Sequence, residues 1–270
     1  MEEKLESRDF NPPWSCPNCG TPLRAIAPRC QKCGKNMTQR PYGLDFIGLP
    51  DQNDVLGFTP RERAEQYRRV QYDFSPQQRR ALKLAQWHPP AEDYYDSLLS
   101  FMMPPRSRWI LDVGCATGRI TYGLAERWNV GAIGIDILDA HLMVAHSMAP
   151  CGDVNVAFAR AHAEALPLQS ASIGGALLSN IIDRVADPMA LLAEVHRVVK
   201  PGGQVVIAHT DDWLALDRGT HCLDLRTLAR TVGLEKCSQA GGEIAWVLPD
   251  ARNTRHIHMY LVAIDVYTRR

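Results

Sequence analysis

Two short stretches carry residue types whose spacing is able to do chemistry. In "CPNCGTPLRAIAPRCQKCGKN", Cys16 and Cys19 form one Cys-x-x-Cys pair and Cys30 and Cys33 a second, each followed by glycine. Four thiolates suit tetrahedral zinc, and the glycines let the backbone turn so that its amides face the sulfurs. The ten residues between the pairs suffice for the two-stranded excursion of a zinc ribbon. The pattern predicts a structural Zn(II) with no open catalytic position, in a module that needs its metal to fold. Thiol redox chemistry and an iron–sulfur cluster are the alternatives.

The second stretch, "ILDVGCATGRITYGLA" (residues 110–125), reads as an apolar strand, a tight turn and an amphipathic helix. The turn holds Asp112, Gly114, Ala116 and Gly118. Residues 114–121 contain no lysine, which excludes a Walker-type phosphate loop. Ala116 stands where a dinucleotide loop needs its second glycine, and an acid at position 112 would repel a pyrophosphate. An acid at a strand end suits a ligand bearing an amine or hydroxyls. A purely structural turn is the bland alternative.

Several elements must position these residues. From Arg108 onward, apolar runs "RWILDVG", "VGAIGID", "VNVAFAR", "GGALLSN" and "GQVVIAHT" alternate with helical stretches such as "DPMALLAEVHRVV". Continuous rather than alternating apolarity is the mark of a parallel sheet covered on both faces. The helical "DLRTLARTVGL" follows, and then "GEIAWVLP" and "HIHMYLVAIDVYT" read as a terminal hairpin. Upstream, Thr59-Pro60 reads as an N-cap with proline at the first helical position. Helices are predicted through "RERAEQYRRVQYDF", "PQQRRALKLAQW" and "AEDYYDSLLSFM". The resulting division is a zinc ribbon at 1–45, a helical connector or lid at 46–105, and an α/β domain at 106–270.

Composition narrows the class. The 270 residues balance 30 basic against 30 acidic side chains, giving no support to a chain wholly devoted to nucleic acid. The charged, proline-containing start lacks an apolar signal core, and no uncharged apolar run reaches 18 residues, so a cytoplasmic protein without a membrane association is expected. Cys115, Cys151, Cys222 and Cys237 are scattered and expected to be reduced thiols.

Three features give the glycine turn its meaning. Asp136 ends the second strand in "AIGIDIL", "ARAHAEALPL" provides a polar turn, and "VVKPGGQVVIA" provides a Lys-Pro-Gly-Gly turn before the fifth strand. Together, residues 108–210 resemble a class I S-adenosylmethionine-dependent methyltransferase, most closely the broad group that includes the ubiquinone/menaquinone-biosynthesis C-methyltransferases. The resemblance implies a Rossmann-like seven-stranded α/β sheet with a terminal antiparallel hairpin, here with the small zinc ribbon added. It implies that Asp112 faces the methionine amine, with the backbone at Gly114, Ala116 and Gly118 passing under the cofactor. It places Asp136 on the ribose and Ile137 against the adenine, with His162, Ala163 and Glu164 in the adenine-side turn. Ser179 and Asn180 fall beside the methyl end. Two residues depart from the family pattern: Ala116 replaces a frequent glycine, and His162 replaces an aspartate that contacts the adenine amine. Asp136 as a helix cap, and His162, Glu164, Ser179 and Asn180 as ordinary surface or loop residues, are the alternatives.

The implied activity is methyl transfer to a nucleophilic N, O or C atom, with S-adenosylmethionine as cofactor. Asp183, His209, Asp211 and Asp212 lie near the expected methyl end, without one of them standing out as a base. A small-molecule acceptor is favoured, with the connector helices as a lid and "WLALDRGTHCLD" as the rim. The alternative acceptor is RNA: the zinc module, connector and class I domain resemble the layout of large-subunit rRNA guanine methyltransferases. Residues 61–83 hold seven basic against three acidic side chains for phosphate contacts. A third reading is a non-catalytic scaffold that binds protein partners. Ser179-Asn180-Ile-Ile is not the Asn/Asp-Pro-Pro-Tyr/Phe motif of exocyclic-amine nucleic-acid methyltransferases.

Overall fold

The computed structural model describes residues 11–23, 28–52, 59–72, 94–105, 107–150, 154–210, 224–249 and 257–270. The predicted helix through "PQQRRALKLAQW", the rim residues before Asp224, and Asp211, Asp212, Cys151 and Cys222 lie outside them. The strands are β1 (Thr38–Arg40), β2 (Gly43–Asp45), β3 (Trp109–Val113), β4 (Gly131–Asp136), β5 (Val156–Arg160), β6 (Ile173–Ser179), β7 (Val199–His209), β8 (Leu234–Pro249) and β9 (Ile257–Arg269). The helices are α1 (Pro60–Tyr72), α2 (Tyr94–Ser100), α3 (Arg119–Trp128), α4 (Asp139–Ser147), α5 (Pro188–Val198) and α6 (Leu225–Thr231).

One sheet runs in the order β1-β2-β5-β4-β3-β6-β7-β9-β8. Its centre is parallel, and β9 and β8 close one edge as the antiparallel hairpin. Every residue of β3 and β4 is buried, as their unbroken apolarity requires. The sheet differs from the expected seven strands by two. Residues 38–45, within the segment assigned to the N-terminal module, supply β1 and β2, and β2 pairs parallel to β5. They cover backbone groups that would otherwise leave β5 an open edge. Gly43 permits this approach: at φ 146 it has no room for a side chain, because a Cβ there would meet the Phe158 carbonyl oxygen.

The Lys-Pro-Gly-Gly stretch is not a free turn but an irregularity inside β7. Val199 pairs with Ile173, and regular pairing resumes at Gly175–Gln204, with Gly202 at φ 76 between them. Thr59 does cap α1. Its hydroxyl accepts from the Glu62 amide at 3.2 Å, while the Glu62 carboxylate accepts from the Thr59 amide at 2.8 Å, a reciprocal capping box.

The N-terminal residues share the main core. Trp14, Cys16, Leu23, Cys30 and Met37 pack in the same apolar cluster as Phe46, Ala159 and Leu168. Ser15 N–H donates to Pro167 O and Gln169 N–H to Pro13 O, both at 2.9 Å. The receiving segment is itself held by α5, whose Arg197 donates to the carbonyls of Leu166 and Leu168. Among the described residues, no helix is long and apolar enough to cross a membrane.

Candidate functional site

The turn after β3 folds back on the end of β4: the Gly114 and Cys115 amides both donate to Ile135 O, at 2.8 and 3.0 Å. Gly114 adopts φ 74, and a Cβ on it would lie 2.5 Å from the Ile181 side chain. Ala116 adopts φ 46, a left-handed conformation that costs a side-chain-bearing residue roughly 1–2 kcal/mol. Its amide donates to Asp136 Oδ2 at 2.9 Å, so two elements singled out separately in the sequence are bonded to each other.

Asp136 sits at the carboxyl end of β4 and is 8% exposed. Oδ1 accepts from the Leu138 amide at 2.9 Å and faces His141 Nδ1 at 3.2 Å. Burial pushes this carboxyl up, but His141 and the two backbone amides outweigh it and hold it below the ordinary range. Asp112 behaves oppositely. Completely buried, it is pushed up to about 7 by desolvation, with Asp136 adding and the Thr121 hydroxyl (2.7 Å from Oδ2) opposing. Asp112 Oδ1 has no hydrogen-bond partner among the described residues.

These groups border a cavity of about 160 Å³ at the carboxyl ends of β3, β4 and β6. Gly114, Ala116, Asp136, Ile137, Ser179 and Asn180 line it. The other expected residues do not. Asp112 lies beneath the turn. Gly118 caps α3 at φ 82, its Cα facing Ala145 and Phe158, where a side chain would part helix from sheet. His162 is exposed, with its carbonyl accepting from Ala165, and Ala163 is buried beside it. Glu164 ties down the Ala186 amide at 3.1 Å. Of the candidate bases, Asp183 is buried 3.3 Å from Arg184, and His209 Nε2 lies 3.8 Å from Asp265; neither borders the cavity.

The remaining wall is aromatic. Tyr67 of α1, Tyr94 and Tyr95 of α2, and Trp246 of β8 close it, together with His141, Ile181 and Arg184. Tyr94 OH lies 2.9 Å from Ser179 Oγ and accepts from Asn180 Nδ2 at 2.9 Å. Burial raises the Tyr94 hydroxyl far above its ordinary pKa, so it remains a neutral polar anchor. Among the described residues, Trp246 Nε1, Asn180 Oδ1 and His141 Nε2 have no hydrogen-bond partner, though all three are buried. The first and third connector helices and the hairpin, expected from the sequence, carry the aromatic side chains of this wall, which the sequence did not single out. The available signal was the adjacent Tyr94-Tyr95 on a short helix, whose facing neighbours only the fold reveals. A larger basin of about 730 Å³ on the hairpin shares no residue with this cavity, and its Lys236 and Asp265 pair at 2.5 Å.

The cysteines also assemble. Their four sulfurs lie within 4.8 Å of one another, with Cys16–Cys33 and Cys19–Cys30 at 3.6 Å. Gly20 and Gly34 donate to the carbonyls of Cys16 and Cys30 and take φ 67 and 74, making two equivalent knuckles. Between the two sites, Arg160 (3% exposed) joins the N-terminal segment to the cavity floor. It donates to Ile137 O at 2.8 Å, to Asp51 at 2.8 Å, to Asp45 at 3.4 Å and to the Leu49 carbonyl. Asp51 in turn accepts the first amides of α4 at 3.0 Å, a carboxylate on a helix N-terminus.

A family model described as a methyltransferase domain matches residues 107–251. An O-methyltransferase of Penicillium expansum is 35% identical over 111 residues, 40% of this chain and 40% of that protein. An O-methyltransferase of Pyrenophora dematioidea is 33% identical over 126 residues, 45% of each chain. The match thus spans less than half the length of these curated relatives. A solved (4+2)-cyclase shares the fold with a TM-score of 0.51 and 15% identity, covering 68% of this chain and 82% of its own.

Proposed function

Because the chain belongs to the methyltransferase-domain family whose model covers residues 107–251, we propose that it transfers the methyl group of S-adenosylmethionine to a nucleophilic oxygen, nitrogen or carbon of a small molecule. The observation that carries this reading is the cavity itself. A glycine-rich turn and a buried carboxylate meet at the carboxyl ends of parallel strands, where ligands of open α/β sheets bind. The O-methyltransferase relatives support an oxygen nucleophile.

The residues fit the adenosyl cofactor. Gly114 brings bare backbone to the cavity, Asp136 accepts from a ribose hydroxyl, Ile137 (47% exposed) offers an apolar face to the adenine, and Asp112 Oδ1 retains an unused acceptor beneath the turn. When bound, the cofactor supplies an already electrophilic sulfonium methyl. The protein's work is then alignment and water exclusion: Tyr94, Tyr95 and Trp246 wall the end beside Ser179 and Asn180, and Tyr67 covers the side of His141 and Asp136.

For the cysteines we propose a structural zinc. Sulfurs about 2.3 Å from a tetrahedral zinc stand about 3.8 Å apart, which the 3.6 Å pairs approach. The small-molecule reading is preferred over RNA because Arg68 and Arg69, central to the basic connector, both pair with Glu65 at 2.8 and 2.9 Å.

Calorimetry of S-adenosylmethionine binding to the zinc-loaded full chain tests the cofactor. Micromolar affinity is expected, and no heat at about 1 mM cofactor would sink the reading. Because a cyclase shares this fold, the second arm is formation of S-adenosylhomocysteine in the presence of small phenolic and carboxylic acceptors. Binding to total rRNA that weakens steeply with salt, with methyl incorporation into it, would replace the small molecule by RNA.

A further inference from the structure

The ribose carboxylate is nearly saturated by the protein's own donors. An ionised carboxylate offers about four acceptor positions. On Asp136, Oδ1 serves the Leu138 amide and the His141 ring, and Oδ2 serves the Ala116 amide. One position on Oδ2 remains, yet a ribose presents two vicinal hydroxyls.

The second acceptor lies in the same cavity wall. His141, 6% exposed, is in the first turn of α4, where the Tyr67 ring packs edge-on against it with centroids 5.3 Å apart. Asp136 Oδ1 is acceptor-only when ionised, so in the neutral ring Nδ1 carries the proton and Nε2 presents a lone pair. That Nε2 is buried and has no hydrogen-bond partner among the described residues. An orphaned acceptor of this kind is costly unless a ligand satisfies it.

We propose that His141 is a diol-reading residue: Asp136 Oδ2 accepts one ribose hydroxyl of the bound adenosyl group and His141 Nε2 accepts the other. The inference rests on the adenosyl-cofactor reading. The Nδ1 bond gives the ring a second task, holding the Asp136 carboxylate still. His141 thereby couples the orientation of the first acceptor to the presence of the second, and selects a vicinal diol over a deoxy sugar.

The test is calorimetry of the full chain with S-adenosylhomocysteine and its 2′-deoxy and 3′-deoxy analogues. His141→Asn keeps a donor for Asp136 but removes the Nε2 acceptor. It is expected to weaken S-adenosylhomocysteine about tenfold, the loss of one hydrogen bond. With one deoxy analogue, the variant and wild-type proteins then bind within about twofold; with the other, the tenfold gap persists. His141→Gln reaches the Nε2 position with an amide oxygen and is expected to recover most of the affinity and the selectivity; if the Asn variant fails to fold, His141→Leu, which has no polar atom there, takes its place with the same expected losses. Equal weakening of all three ligands in the Asn or Leu variant, no weakening in it, or a Gln variant as weak as it, overturns the diol reading while leaving the cofactor reading intact. Failure of the wild-type chain to bind S-adenosylhomocysteine overturns both.

Discussion

Residues 11–37 place two thiols, Trp14, Leu23 and Met37 in the interior, whereas β3 and β4 bury every one of their residues between paired strands and the side chains of the covering helices. The first region borrows its core from the sheet and gathers four sulfurs at a distance suited to a metal. The second builds its own core and spends its strain at Ala116, in the cavity wall, and at Asp112, buried behind it. Stability supplied from outside and stability sacrificed for a site are thus segregated along the chain. They meet at Arg160, which ties Asp45 and Asp51 to the backbone of Ile137.

Removing the metal should separate the two regions most sharply. Chelation, or Cys16→Ser, is expected to strip the proposed zinc from the full chain and abolish hydrogen-exchange protection over residues 11–23 and 28–37, an effect on the scale of the roughly 10 kcal/mol that structural zinc contributes to small modules. Protection in β3, β4 and β6 should survive. Exchange that is indifferent to the chelator would dissolve the contrast.

Cutting the junction comes next. Arg160→Met takes from the buried Asp45 and Asp51 the cation they share, leaving Asp45 only Arg40 at 3.6 Å among the described residues, and is expected to cost about 3–5 kcal/mol in denaturant unfolding. It should also weaken S-adenosylhomocysteine, since Ile137 O and α4 lose their support.

Asp112 tests the sacrificed stability. Its folded pKa is raised to about 7, above an unfolded value near 3.9. The folded state therefore binds the proton more tightly. The stability from that proton is full below pH about 4 and declines as the pH rises through about 7. Asp112→Asn should lack this slope and exceed the wild-type protein by about 2 kcal/mol at pH 8, with a much smaller gap at pH 4, while binding S-adenosylmethionine more weakly. Parallel unfolding curves at both pH values would refute this.

The smallest effect belongs to Ala116→Gly. Relief of φ 46 favours glycine by roughly 1–2 kcal/mol, and the added freedom of the unfolded chain removes about 0.5–1. A net gain of about 0.5–1 kcal/mol in chemical denaturation is expected, with cofactor affinity retained.

Much of this was legible before any coordinates, but unevenly. The strands of the sheet announce themselves because burial on both faces demands unbroken apolarity, and Thr59-Pro60 announces α1 because capping is local chemistry. The paired cysteines were visible for the same reason: knuckle geometry lies within four residues. Residues 38–45 gave no such sign. Two three-residue strands carry no period, and what makes them strands is the vacant edge of β5.

The cavity shows the same boundary. Asp136, Gly114 and Ala116 stand in the chain as an ordered series, since a turn and a strand end are built by neighbours in sequence. His141 facing Asp136, Tyr94 joined to Ser179 and Asn180, and Arg160 spanning residues 45 to 137 are contacts between segments far apart or faces of a helix chosen by packing. Local residue chemistry therefore determined the elements and the class of ligand. The closing wall, the saturation of the carboxylate and the dependence of the site on the N-terminal segment were decided by tertiary structure, because they depend on which surfaces meet after the apolar strands have been buried.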